Sequence, residues 1–92
     1  MIDYITSQNF EHYLNNVKEG YLVNVWLGQR SAKAHNLAHL AGTCRSTLNI
    51  NDPDSYPKFF ASTLQEAKEY AQQRYAVPQE FCTSCERCDQ QG

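Results

Sequence analysis

Residues 21–27 read Tyr21-Leu22-Val23-Asn24-Val25-Trp26-Leu27. The run is rich in β-branched and aromatic residues, and Tyr21, Val23, Val25 and Leu27 fall on one side of an extended chain, which predicts a strand. A lone strand is not stable in water and needs neighbours. Gly28-Gln29-Arg30-Ser31 follows and reads as a turn. Two periods then compete in residues 32–41. Ala34, Leu37, Ala38 and Ala41 keep helical spacing, and alanine favours helix. Lys33, His35, Leu37 and His39 alternate with small residues as a strand does. A hairpin through the Gly28–Ser31 turn gives the first strand its partner and favours the strand.

Toward the N-terminus, Phe10, Tyr13, Leu14 and Val17 form the apolar stripe of a first helix, with Thr6 or Ser7 as its cap and Gly20 as its stop. Toward the C-terminus, residues 49–55 have loop composition; Asp52 and Asp54 there lack the calcium-loop pattern and read as a turn. Residues 56–61 form a short strand, set at an edge by Pro57. Thr63-Leu64-Gln65-Glu66 is a capping box that opens a second helix, with Leu64, Ala67, Ala71 and Tyr75 on one face and Pro78 after its end. The expectation is an α+β fold in a single domain over residues 1–92: a small antiparallel sheet of about three strands, packed by two helices, with a C-terminal Cys-x-x-Cys knuckle.

A chain of 92 residues has room for one thin core. Domains of this size often add a disulfide, a metal or a partner subunit. The start, Met1 to Phe10, has neither a basic leader nor an apolar run, and no segment approaches the ~20 apolar residues of a membrane span. A cytoplasmic monomer is expected. In that reducing compartment four cysteines point to metal or redox chemistry before disulfides.

Cys82, Cys85 and Cys88 are each separated by two residues. A Cys-x-x-Cys turn aims both sulfurs at one point, and zinc takes four thiolate or imidazole donors in a tetrahedron. Cys44 is the remaining cysteine, and His39 lies five positions before it. The expected structural zinc site therefore draws on His39, Cys44, Cys82, Cys85 and Cys88, with His39 and Cys88 as alternatives for the fourth place. Linking residue 44 to residues 82 and 85 closes a loop of about forty residues around the second helix. Free thiols, an iron–sulfur cluster on the four cysteines and a disulfide are the competing readings.

Formal net charge is −2, yet no acid lies between Gly20 and Asn51. Arg30, Lys33 and Arg45 fall in that window and are the expected partner-binding residues, suited to nucleic-acid phosphates. Tyr21, Trp26, Tyr56, Phe59 and Phe60 are either core or stacking platforms for exposed bases. The sequence holds no nucleophile elbow, phosphate loop or His-Glu-x-x-His motif, so a binding protein is expected rather than an enzyme.

The order His39-Leu40-Ala41-Gly42-Thr43-Cys44, Lys58-Phe59-Phe60, a capped helix over 62–75 and Cys82-Thr83-Ser84-Cys85 resembles small zinc modules of DNA-repair and restriction proteins. The methyl-accepting module of the DNA alkylation-repair regulator has a similar cysteine layout; this chain departs from it around Cys44, which leaves the zinc scaffold as what the resemblance implies. In size and style the whole chain also resembles phage-encoded anti-CRISPR proteins of the type I-F inhibitor group. That resemblance implies a non-enzymatic inhibitor that docks on Cas subunits and guide RNA in the host cytoplasm and blocks target DNA binding. The basic window would meet phosphates, and Asp52, Asp54, Glu66 and Glu69 would meet DNA-binding lysines. The alternative is a free-standing zinc-stabilised module that binds nucleic acid or regulates.

Overall fold

The Tyr21–Leu27 run does form the spine of the protein. In the computed structural model, which describes residues 1–48 and 55–89, strand β2 (Tyr21–Trp26) lies in the middle of a five-stranded sheet. The other strands are β1 (Ile2–Tyr4), β3 (Ser31–Asn36), β4 (Lys58–Ala61) and β5 (Cys82–Ser84), in the order β1-β4-β2-β3-β5. The helices are α1 (Phe10–Asn16), α2 (Gly42–Thr47), α3 (Leu64–Tyr75) and α4 (Glu86–Asp89). The expected α+β class is met. The anticipated antiparallel strands are the centre, β4-β2-β3, and short strands add one on each side. The β3–β5 pair is parallel, so the sheet is mixed.

Strand parity assigns the two faces. Val23, Val25, Ala32, Ala34, Phe59 and Ala61 point to one side and pack with Ala67 and Ala71 of α3. Thr63 caps that helix, its hydroxyl accepting the Glu66 N–H at 3.1 Å, and Ala76 closes it in the left-handed conformation at φ 57°. Phe59 lies against Tyr70 and Tyr75 with ring centroids 4.7 and 6.3 Å away. On the opposite face Leu22 and Phe60 pack with Ile5, Phe10, Tyr13 and Leu14, so α1 covers that end. The far end of the same face, beside β3, is covered by Ala41, Cys44, Cys85 and Cys88.

Several expectations are corrected. Residues 32–41 divide: β3 runs to Asn36, and a 3-10 turn spans Leu37–His39. Leu27 leaves its strand for a 3-10 turn, and Arg30 takes the left-handed conformation at φ 50° that reverses the chain. The first helix starts at Phe10 without a side-chain cap; Thr6 instead builds the preceding turn, its hydroxyl accepting the Gln8 N–H. Strand β4 is interior, because β1 pairs along its outer side, and Pro57 sits just before it with its carbonyl accepting the Val25 N–H. The loop expected over 49–55, with Asp52 and Asp54, falls outside the described residues up to Asp54. No helix among the described residues is long and apolar enough to cross a membrane.

Candidate metal centre

Four side chains meet on the α1 face of the sheet, at its β5 end. His35 projects from β3, Cys44 from α2, Cys85 from the bend after β5, and Cys88 from α4. All four are buried, and their donor atoms lie within 4.8 Å of one another. Cys44 Sγ is 3.6 Å from Cys85 Sγ, and Cys88 Sγ is 3.6 Å from His35 Nδ1. Bonds of about 2.3 Å to sulfur and 2.0–2.1 Å to nitrogen place donors about 3.6–3.8 Å apart on a tetrahedron. Both of these contacts have that spacing.

Each donor arrives for a local reason. β3 alternates, so Ala32 and Ala34 enter the α3 core while Lys33 and His35 face the other way. The Cys85 N–H donates to the Ala34 carbonyl at 2.8 Å, which ends the β3–β5 ladder and turns the chain. α4 then follows, and residues three apart on such a turn share a side. Cys85 and Cys88 therefore converge. Cys44 lies in the first turn of α2, just after the buried Ala41.

The electrostatics separate the donors. Burial pushes the Cys88 thiol up to about 12, although the Ala41 N–H donates to its sulfur and opposes this. Burial also raises Cys44, helped by its contact with Cys85. At Cys85 burial acts in the same sense but is outweighed by the N–H groups of Cys88 and Arg87 and by the two neighbouring thiols, so its pKa falls. The first thiolate thus forms at Cys85. His35 is lowered to about 4 by burial and then by the charges of Lys33 and Lys58. It is neutral at physiological pH, which is the form that ligates a metal. The donor set can hold one metal ion, with every donor supplied by this chain.

The sequence-predicted ligands are only partly brought together. Cys44, Cys85 and Cys88 converge; Cys82 and His39 do not join them. Cys82 pairs with Ala32 at the start of β5, and strand parity turns its sulfur into the α3 core, where it is fully buried. The knuckle is therefore Cys85-Glu86-Arg87-Cys88 rather than Cys82 to Cys85. His39 lies beyond the end of β3 in the 3-10 turn and is exposed. Proximity to Cys44 in sequence favoured it, while the alternation of Lys33 and His35 is the signal that singles out His35.

The basic residues also divide. Arg45 donates to the Leu14 carbonyl at 2.7 Å and to the Asn15 side chain, so it ties α2 to α1. Arg30 is exposed on the β2–β3 turn, at some remove from the cluster along β3. Lys33 is half-buried beside His35, and Arg87, which the sequence reading passed over, stands with it on the rim of the metal centre. Comparison with protein-family models, curated proteins and solved structures finds no match to this chain.

Proposed function

We propose that the protein is a non-enzymatic binding module, held together by structural zinc, that takes nucleic acid either free or within a nucleoprotein complex. Three thiols and one imidazole as donors suit zinc over harder cations. The observation that carries the reading is the number of donors: four buried protein donors lie within 4.8 Å of one another, as many as a tetrahedral shell needs. A catalytic zinc keeps a position for water or substrate, whereas a closed shell serves the fold. Binding then falls to the surface around the four donors, where Trp26, Lys33 and Arg87 line one cleft together with His35, Cys44 and Cys85. The anti-CRISPR resemblance gives a specific form of this activity, docking on Cas subunits and guide RNA; that form rests on chain size and style.

Protein purified without chelator is expected to carry equimolar zinc, read by elemental analysis. The same protein is expected to shift labelled single-stranded RNA or DNA in a mobility gel, with affinity falling steeply as salt rises. Lys33→Glu combined with Arg30→Glu is expected to weaken that binding about tenfold or more, since contacts to charged groups contribute about 1.5–3 kcal/mol each. Zinc-free protein with a native fold overturns the structural metal. Zinc-loaded protein that binds no nucleic acid and pulls down no nucleoprotein from host lysate overturns the binding reading.

A further inference from the structure

Two of the four donors differ from the others in what they touch and in how they meet solvent. Cys44 Sγ rests against Cys85 Sγ at 3.6 Å, whereas Cys88 Sγ rests against His35 Nδ1 at 3.6 Å. Cys44 and Cys85 are 5% and 7% exposed, and both line a cleft of about 610 Å³. Cys88 and Cys82 are fully buried, and Cys82 lies on the other face of the sheet in the α3 core. A small oxidant that enters the cleft therefore meets Cys44 and Cys85 ahead of the other two cysteines.

The two sulfurs come from distant parts of the chain, on elements that hold them loosely. Cys44 sits in six-residue α2, which opens without a side-chain cap. Cys85 sits in the bend between β5 and α4. The sulfurs of a disulfide lie about 2.05 Å apart, so closing this contact takes a shift of about 1.5 Å. Short elements can supply a movement of that size.

We infer that Cys44 and Cys85 form a redox pair, which a peroxide converts to a disulfide with release of the metal. The inference rests on the zinc reading of the site only for the ion that is released. One sulfur attacks a peroxide oxygen, the O–O bond breaks, and hydroxide leaves with the thiol proton as water, which gives a sulfenic acid. The second sulfur attacks the first, the S–O bond breaks, and the second thiol proton leaves with that hydroxide as water. The two sulfurs lose two electrons and the peroxide gains them. In the metal-loaded protein the two protons come from solvent. A tetrahedral site needs four donors, and the new bond consumes two of them. His35 and Cys88 are too few to retain zinc. Oxidation thus keeps α2 tied to the end of β5 and releases the tie through Cys88 of α4.

The zinc-loaded full chain is treated with hydrogen peroxide in the presence of a chromogenic zinc indicator, and its mass is followed. Each chain is expected to lose two hydrogens and to release an equimolar amount of zinc. Dithiothreitol with added zinc is expected to reverse both changes. Trypsin locates the bond, because it separates residues 34–45, 75–87 and 88–92, which carry Cys44, Cys85 and Cys88. Cys82→Ala removes the other sulfur of the middle peptide, and in that variant 34–45 is expected to be joined to 75–87. In wild type, Cys82 is expected to oxidise about tenfold or more slowly than the pair, because exposure governs attack. Cys85→Ser is expected to abolish the bond. Where that variant fails to fold, Cys88→Ser removes a donor but leaves the pair, and the bond between Cys44 and Cys85 is expected to form in it. A bond to Cys88, or oxidation of Cys82 as fast as of the pair, overturns the inference. If the purified protein holds no zinc yet forms the bond between Cys44 and Cys85, the pair stands and the structural metal falls. If zinc-loaded protein forms no such bond, the pair falls and the structural metal stands.

Discussion

Tyr13 packs its ring on Phe60, with centroids 4.9 Å apart, and donates its hydroxyl to the Asp3 carboxylate. Burial, then that hydrogen bond and the Asp3 charge, raise its pKa to about 12. The folded value lies above the ordinary tyrosine value of about 10, so the fold favours the neutral phenol. Its contribution is whole below about pH 10 and is lost as pH rises toward about 12. Wild type is therefore expected to exceed Tyr13→Phe by about 1 kcal/mol near neutral pH. Melting curves across the alkaline range should show that gap closing; a gap that stays constant through the window sinks the assignment. The cysteines make a second residue-scale test. Cys85→Ala is expected to abolish stoichiometric zinc, because it removes a donor. Cys82→Ala is expected to keep the metal and cost about 1 kcal/mol, because that sulfur fills a gap in the α3 core. Zinc analysis of both variants decides which Cys-x-x-Cys pair is the knuckle. Sequence spacing alone offers both pairs equally. The choice is made by the parity of a three-residue strand, and β5 carries too few residues to show a period.

Elements with a local signature were legible, and those made by pairing were not. The box from Thr63 to Glu66, with apolar positions spaced as a helix, announces α3 without tertiary help, and Tyr21–Leu27 announces β2 in the same way. β1, β5 and α4 each span three or four residues and exist because a neighbour pairs with or packs on them. Six-residue α2 carries Cys44 and has no capping side chain to mark its start. Two element ends are open to direct test. Ala76 closes α3 in the left-handed region and is exposed. Glycine adopts that conformation without the Cβ penalty, so Ala76→Gly is expected to raise stability by about 0.5–1 kcal/mol despite its looser unfolded chain. A lower melting temperature for that variant contradicts the cap geometry. Gly20 is the opposite case. Its φ is +89°, and a Cβ there would lie 2.6 Å from the Phe60 ring and 2.9 Å from the Ala61 carbonyl oxygen. Gly20→Ala should therefore destabilise by more than about 1 kcal/mol, through strain and collision together.

At the scale of the whole molecule, the cluster of His35, Cys44, Cys85 and Cys88 joins the parts least able to hold themselves. β5 meets the sheet through three residue pairs in a parallel ladder, and α4 spans four residues. The rest of the sheet is held independently by the α3 core on one face and the α1 core on the other. A bound structural metal adds its binding free energy to the stability of the segments that carry its ligands, which here are the ones the two cores do not hold. Its removal should then act unevenly. Chelation is expected to lower the melting temperature sharply, and added zinc should restore it. Hydrogen exchange read by mass spectrometry localises the loss. Protection in the chelated protein should fall first in residues 42–47 and 82–89, the segments that carry Cys44, Cys85 and Cys88. It should persist longest in β2, which is paired on both sides and packed on both faces. Equal loss across all elements would make the metal a condition of the entire core, and no change at all would leave the four donors as ordinary buried side chains. The uneven outcome is the one the architecture requires, because both apolar cores close without any of the four ligands.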